Sequence, residues 1–439
     1  MAELLTRPSG QRVSRWRTAS RWVLVAFWCL FAVWAAQTGV RTALFEQALA
    51  NQDAGKAIWA RSDLSAGWLL RSQQLINQDP AAAAAAAQQA LHLDAGDWHN
   101  WEALAESELA LGNLDQAEAA LDRALPLNQG FESSYELSSL ELLKGSPVQF
   151  WHWMGVALAR VPDDQATLIV NAALRRDPTP EASQMRAILP LQRPAVLSAA
   201  VNALLNAQRV SAAVKTWGQL RCDPPHFSVC GGASLSLSDA LLNATPPETA
   251  TALTVWNQAV GRGWLNQAGA RPGTLTDAEF AHPWNGAGFG WVDNHSADFQ
   301  VEPPAGGDHP IIHVAFDGLQ PEGLQVFRQR VAVEPGARYR LTCTSRLDGD
   351  GQAGGVSLDV TSQLGQPPLT VLELPLQSDW HTSQQDFSVP AGETLVTLSL
   401  EYRRPNGQPR LRVGVDLKAL ALARLATGSG SSSDAAEGR

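Results

Sequence analysis

The chain is poor in cysteine, in tyrosine and in charge. It holds 4 Cys, 3 Tyr and 3 Met among 439 residues, and 17% of its residues are charged, with 33 Lys plus Arg against 43 Asp plus Glu. Cysteines scattered at Cys29, Cys222, Cys230 and Cys343 exclude a disulfide-dense miniprotein and argue against a four-thiolate zinc site. The basic deficit is deeper than the net charge of −10 suggests. Five Arg and one Glu lie in the first 21 residues, leaving 28 basic against 42 acidic side chains beyond them. That body has no basic surplus to neutralise phosphates, which argues against a nucleic-acid binder. The chain also shows no G-x-S-x-G elbow, P-loop, dinucleotide fingerprint or H-E-x-x-H stretch. No catalytic residue is assigned, and no enzyme is expected.

What is present falls into three parts. From Trp22 to Ala36 the chain reads WVLVAFWCLFAVWAA, and Gln37 to Val40 extend the uncharged run to nineteen residues before Arg41. That is close to the ~20 residues that a helix needs to span a bilayer. Arg12, Arg15, Arg17 and Arg21 precede it, whereas Glu46 and Asp53 follow. The positive-inside rule therefore predicts a cytoplasmic basic segment over residues 1–21, a transmembrane anchor over 22–40 and the remainder outside. A cleaved signal peptide, ending at Val33-Trp34-Ala35, is the alternative. In such an oxidising space Cys222 and Cys230, eight residues apart around two prolines, are expected to form a disulfide; two unpaired buried thiols are the other reading.

Residues 41–220 are helical and repetitive. In the clearest unit the large Trp101 and Leu104 precede the small Ala105, Gly112 turns the chain, and Ala117, Leu121 and Ala124 form the stripe of a second helix. Thirty-four residues earlier, Ala83, Ala87 and Ala90 occupy the same stripe. This pattern resembles the tetratricopeptide repeat, with Gln129 where the usual closing Pro stands. The resemblance implies a solenoid that binds protein partners. A non-repeat helical bundle is the plain alternative. Residues 221–270 read as a linker containing the cysteine loop and two amphipathic helices.

From residue 271 the hydrophobic period falls from 3.6 to 2. Alternating runs such as Gln325–Val333, Ala337–Ser345 and Leu395–Tyr402, separated by Gly- and Pro-rich turns, predict an antiparallel β-sandwich over 271–424, with a disordered tail at 425–439. The fold class is thus a multidomain α + β chain. The opening Leu275–Pro283 with Gly288-Phe-Gly-Trp291, then Val333-Glu-Pro-Gly336 with Tyr339, then Trp380 before Phe387, and the final Val415-Asp416-Leu417 resemble jelly rolls of the carbohydrate-binding-module type.

That resemblance implies aromatic glycan platforms, for which Trp284, Tyr402, Trp291 and Trp380 are the candidates. Trp284 and Tyr402, beside loop residues, are expected to be the more exposed. It also implies a structural calcium, although Ala281 replaces the usual Glu and Asp277-Ala278 the usual Asn-Gly. Asp277, Glu279 and Asp416 remain as oxygen ligands; no other cofactor is expected. An anchor, tetratricopeptide repeats and such a jelly roll together resemble bacterial envelope proteins associated with exopolysaccharide or O-antigen assembly. This implies a single-pass inner-membrane protein with its bulk in the periplasm. Three functions follow: a scaffold for protein partners, a glycan-binding protein and, third, a glycan-active enzyme, whose paired carboxylates no sequence displays.

Overall fold

The computed structural model describes residues 11–177, 188–294, 299–302, 311–348, 354–363, 367–375 and 377–426, without the side chains of 11–23 and 25. It divides into two compact units, Met1–Val161 and Pro162–Arg439.

In the first unit α1 (Gln11–Ala50) and α2 (Ala54–Ala60) precede three helix pairs: α3 (Ser65–Leu75) with α4 (Pro80–Leu93), α5 (Trp98–Ala110) with α6 (Leu114–Ala124), and α7 (Glu132–Leu143) with α8 (Pro147–Arg160). The starts are specified locally. Asp53, Asp79 and Asp97 accept hydrogen bonds from the amides of Lys56, Ala82 and His99, and Pro80 and Pro147 occupy the first turns of α4 and α8. Gly112 and Gly145, 33 residues apart, end α5 and α7 with φ of 81° and 76°, a conformation that costs glycine nothing. The same spacing relates Trp68, whose indole donates to the Ser62 carbonyl at 3.0 Å, to Trp101, which donates to Ala95 at 2.9 Å. The small stripe packs as the sequence implies: Ala83, Ala87, Ala90, Ala105, Ala117, Leu121 and Ala124 are all buried. Small side chains let the backbones approach, so each pair closes on its neighbours.

Along α1, Leu24, Phe27, Trp28 and Leu30 are exposed. Among the described residues no helix is long and apolar enough to cross a membrane. The start of the expected span, Trp22, Val23 and Val25, falls among the side chains outside that description.

The second unit opens with α9 (Ala166–Arg176), α10 (Pro194–Asn206), α11 (Val210–Trp217), α12 (Phe227–Leu242) and α13 (Thr249–Gly261). Cys222 and Cys230 are joined, their Cα atoms 6.6 Å apart, at the start of α12. Ten strands follow: β1 (Val292–Asp293), β2 (Phe299–Glu302), β3 (Ile312–Phe316), β4 (Gly323–Ala332), β5 (Arg338–Asp348), β6 (Val356–Ser362), β7 (Thr370–Glu373), β8 (His381–Ser388), β9 (Leu395–Arg403) and β10 (Gly414–Arg424). They form two antiparallel sheets, β1-β4-β9-β6-β7 and β2-β3-β10-β5-β8. Alternate residues point inward, so Tyr339, Leu341, Cys343 and Leu347 of β5 meet Val356, Leu358, Leu398 and Leu400 in one apolar core. Residues 427–439, most of the expected tail, lie outside the described residues.

The expected linker is part of this unit's packing. Trp256 of α13 is fully buried and meets Phe289 edge-on at 5.9 Å, while its indole donates to the Ala268 carbonyl at 2.9 Å. Arg330 of β4 pairs with Asp239 of α12 at 3.0 Å, and the Thr249 and Thr394 hydroxyls lie 2.8 Å apart. Helices placed by sequence with the repeats or in a connector thus share a unit with the sandwich. Replacing Trp256 with Ala removes that wedge and is expected to cost about 3–5 kcal/mol. Hydrogen exchange should then accelerate together in residues 227–261 and 323–332; acceleration of the helices alone would show that they are a separable layer.

Candidate functional site

Two surfaces concentrate chemistry. The first is the shared face of α5 and α7. Glu102 and Glu106 stand one helical turn apart on α5, and Glu102 accepts a hydrogen bond from Ser133 of α7 at 2.7 Å. Ser133 is itself held by Asn128 at 2.9 Å. Burial pushes the Glu102 carboxyl up to about 7; the Ser133 hydrogen bond opposes this, and the charges of Glu136 and Glu106 add to it. Glu106 keeps contact with solvent, but the protein crowding its carboxylate raises it as well. Three carboxylates therefore share a surface on which at least one is reluctant to ionise.

The second surface is on the sandwich, and there the aromatic candidates separate. Tyr402 is fully buried: it follows Leu398 and Leu400 on the inward face of β9, and its hydroxyl accepts from the Leu411 amide at 3.1 Å. Trp291 is 1% exposed and donates to the Asp277 carbonyl at 3.0 Å. Trp284 is half-buried in a cluster of rings, 5.4 Å from Phe327, 6.1 Å from Trp291 and 6.2 Å from Phe280. The expectation that Trp284 and Tyr402 are the more exposed platforms is therefore corrected: Tyr402 is enclosed by the core with no face left for a sugar, and Trp284 packs its indole against three core rings. Trp380, just before β8, remains at the surface, with Lys418 Nζ at 3.8 Å and the Arg346 guanidinium at 4.6 Å from its ring centroid.

The calcium ligand set is not assembled. Asp277 accepts from the Ala281 and His282 amides at 2.8 and 3.0 Å and pairs with the His282 ring at 3.0 Å. Asp416 is bound by His313 and Arg346, each at 2.7 Å. Among the described residues no three His, Cys, Asp or Glu side chains gather to hold a metal. Asp277, Glu279 and Asp416 thus do not form one site, because the two aspartates are already satisfied by separate protein partners. Sequence reasoning missed the Glu102–Glu136 face and the cations flanking Trp380. The one signal for the latter was parity: Trp380 falls in step with the outward-facing Thr382, Gln384 and Asp386.

Residues 74–137 match the model of the tetratricopeptide repeat. No curated protein matches the chain. Among solved structures, a CBM4 module is similar at 11% identity, covering 34% of this chain and 99% of its own with a TM-score of 0.27. The N-terminal cellulose-binding domain of Cellulomonas fimi β-1,4-glucanase C is similar at 16% identity, covering 31% and 93%, TM-score 0.21. The MamA protein is similar at 14% identity, covering 42% and 90%, TM-score 0.24.

Two outcomes test these placements. The Glu102 carboxyl titrates higher in the fold than in the unfolded chain, so the unfolded state releases its proton first and stability falls as pH rises from about 4.5 to about 7. Glu102→Gln should therefore melt progressively later than the parent as pH is raised from 5 to 8; a constant difference would remove the perturbed carboxyl. Tyr402→Phe should cost about 1–2 kcal/mol in urea unfolding, for the lost partner of the buried Leu411 amide.

Proposed function

We propose that this chain is a non-catalytic scaffold that holds a basic segment of a protein partner on the α5–α7 face of its helical repeats. The observation that carries this reading is the gathering of Glu102, Glu106 and Glu136 within the stretch that matches the tetratricopeptide repeat. A repeat array buries each pair only against its neighbours and leaves one face free for a ligand. A lysine or arginine seated there adds counter-charge to a carboxyl that burial and the neighbouring carboxylates keep from ionising, so ionisation and docking are coupled. The mechanism is binding free energy and geometry, with no bond made or broken.

The same proposal places residues 22–40 in a membrane as a single-pass anchor, with 1–21 in the cytoplasm and the rest outside. The arginine flank and the exposed apolar side chains of α1 support it. The setting we favour, cell-envelope or exopolysaccharide assembly at a bacterial inner membrane, rests on the resemblance of the domain combination. A second reading, glycan contact through the sandwich, is favoured by Trp380 standing on an outer sheet face.

Selection of a random peptide library on the full-length protein tests the first reading. Lys- and Arg-rich peptides should be enriched, and the triple variant Glu102→Gln, Glu106→Gln, Glu136→Gln should lose them about tenfold or more. Enrichment without basic bias, or unaffected by the three substitutions, would overturn it.

A further inference from the structure

We propose that the outer face of the β2-β3-β10-β5-β8 sheet, centred on Trp380, Lys418 and Arg346, binds a carboxylate-bearing polysaccharide. The inference rests on the second reading above and specifies its ligand. It begins with a defect in the central strand. The pairing of β10 with β5 runs in register to Lys418 opposite Thr344 and resumes at Ala421 opposite Thr342, so Ala419 and Leu420 stand against the single Cys343 and β10 carries one extra residue. Ala419 has φ of 51°, a left-handed conformation unfavourable to any residue with a Cβ. Bulges of this kind re-aim side chains, and they recur beside functional sites. Here the bulge lets Leu420 and Leu422 return to the core while Lys418 stays outside, its ammonium over the Trp380 ring.

The two cations differ in freedom. Arg346 is tied down, because Asp416, 4% exposed, takes it with one carboxylate oxygen and His313 with the other. Lys418 has no carboxylate within ion-pair distance among the described residues. Among those residues its charge meets the Trp380 ring, a weak contact at a surface site, and its four-carbon stem is flexible. When Lys418 swings aside, the part of the ring that it covers is open to the apolar C–H face of a pyranose beside the fixed Arg346 guanidinium, and the ammonium stands at the rim, where a sugar carboxylate projects. The Thr344 and Thr382 hydroxyls, paired at 2.8 Å on neighbouring strands, supply partners for sugar hydroxyls on the same face. A neutral glycan would use the ring and leave the lysine idle; an acidic one uses both. The outer face of the other sheet has no such combination: its strands turn Ser357, Asp359, Ser399, Glu401 and Arg403 outward, and no aromatic.

Binding of the full-length protein to fluorescent oligogalacturonate, to its methyl ester and to a cello-oligosaccharide, followed by thermophoresis, tests the proposal. The acid form should bind at least tenfold more tightly than its ester and weaken as NaCl is raised. Lys418→Gln should abolish that preference, and Trp380→Ala should abolish binding to all three, both with an unchanged circular dichroism spectrum. Equal binding of acid and ester, lost in Trp380→Ala, would overturn the carboxylate assignment while leaving glycan contact standing. Binding of none of the three, or binding that survives both substitutions, would overturn the site itself.

Discussion

The repeats of the first unit depend on how little apolar surface an alanine-lined helix can offer. Ala83, Ala87 and Ala90, like Ala117, Ala120 and Ala124, are wholly enclosed, but each contributes a single methyl. Such a stripe gains from burial only when backbones approach closely enough for every methyl to be covered from several sides. Isolated pairs would be marginal, and stability comes from stacking one pair on the next. Stacking aligns α5 with α7, and that alignment crowds three carboxylates onto one face. The acidic surface is a by-product of the same close packing that holds the helices.

The sandwich solves the opposite problem, too much aromatic surface. Trp291, Tyr339, Tyr402 and Phe327 are taken into the core of the sandwich and Phe289 packs on Trp256, while Trp291, Tyr339 and Tyr402 reach backbone partners through their polar tips. Rings committed to this task are unavailable for recognition. What remains outside is a field of hydroxyls and charge pairs, such as Arg340 with Asp386 at 2.7 Å, in which an indole beside two cations is exceptional.

Much of this was legible before any coordinates. The positions of Trp101, Ala105, Gly112 and Ala117 define a helix pair because large, small and turn-forming residues at those spacings have one way to pack. Strand alternation identified the two-layer sandwich for the same reason. Even the burial of Tyr402 was available, since it shares parity with Leu398 and Leu400; nearness to a loop was the weaker cue. Trp284 was not available, because it precedes the first strand and no periodicity says which way it turns. Nor was the division at Val161, because the Pro162 turn between α8 and α9 looks like any other turn between the helices. The Glu102 face required knowing which helices become neighbours, which spacing along one helix does not tell. The bulge left only a break in rhythm, Leu417 then Leu420, that reads equally well as a strand end.

The strand order has a consequence for how the molecule is made. β9 lies at the centre of one sheet and β10 at the centre of the other, although every strand that they pair with precedes them in the sequence. Until Leu395 emerges, β4 and β6 have no partner between them, and until Gly414 emerges, β3 and β5 stand as two unpaired edges. The helical repeats can close locally as they appear, but the sandwich must wait for β9 and β10. During that interval its alternating strands are exposed to one another and to any neighbour, a window in which assistance or sequestration would decide the yield of folded protein.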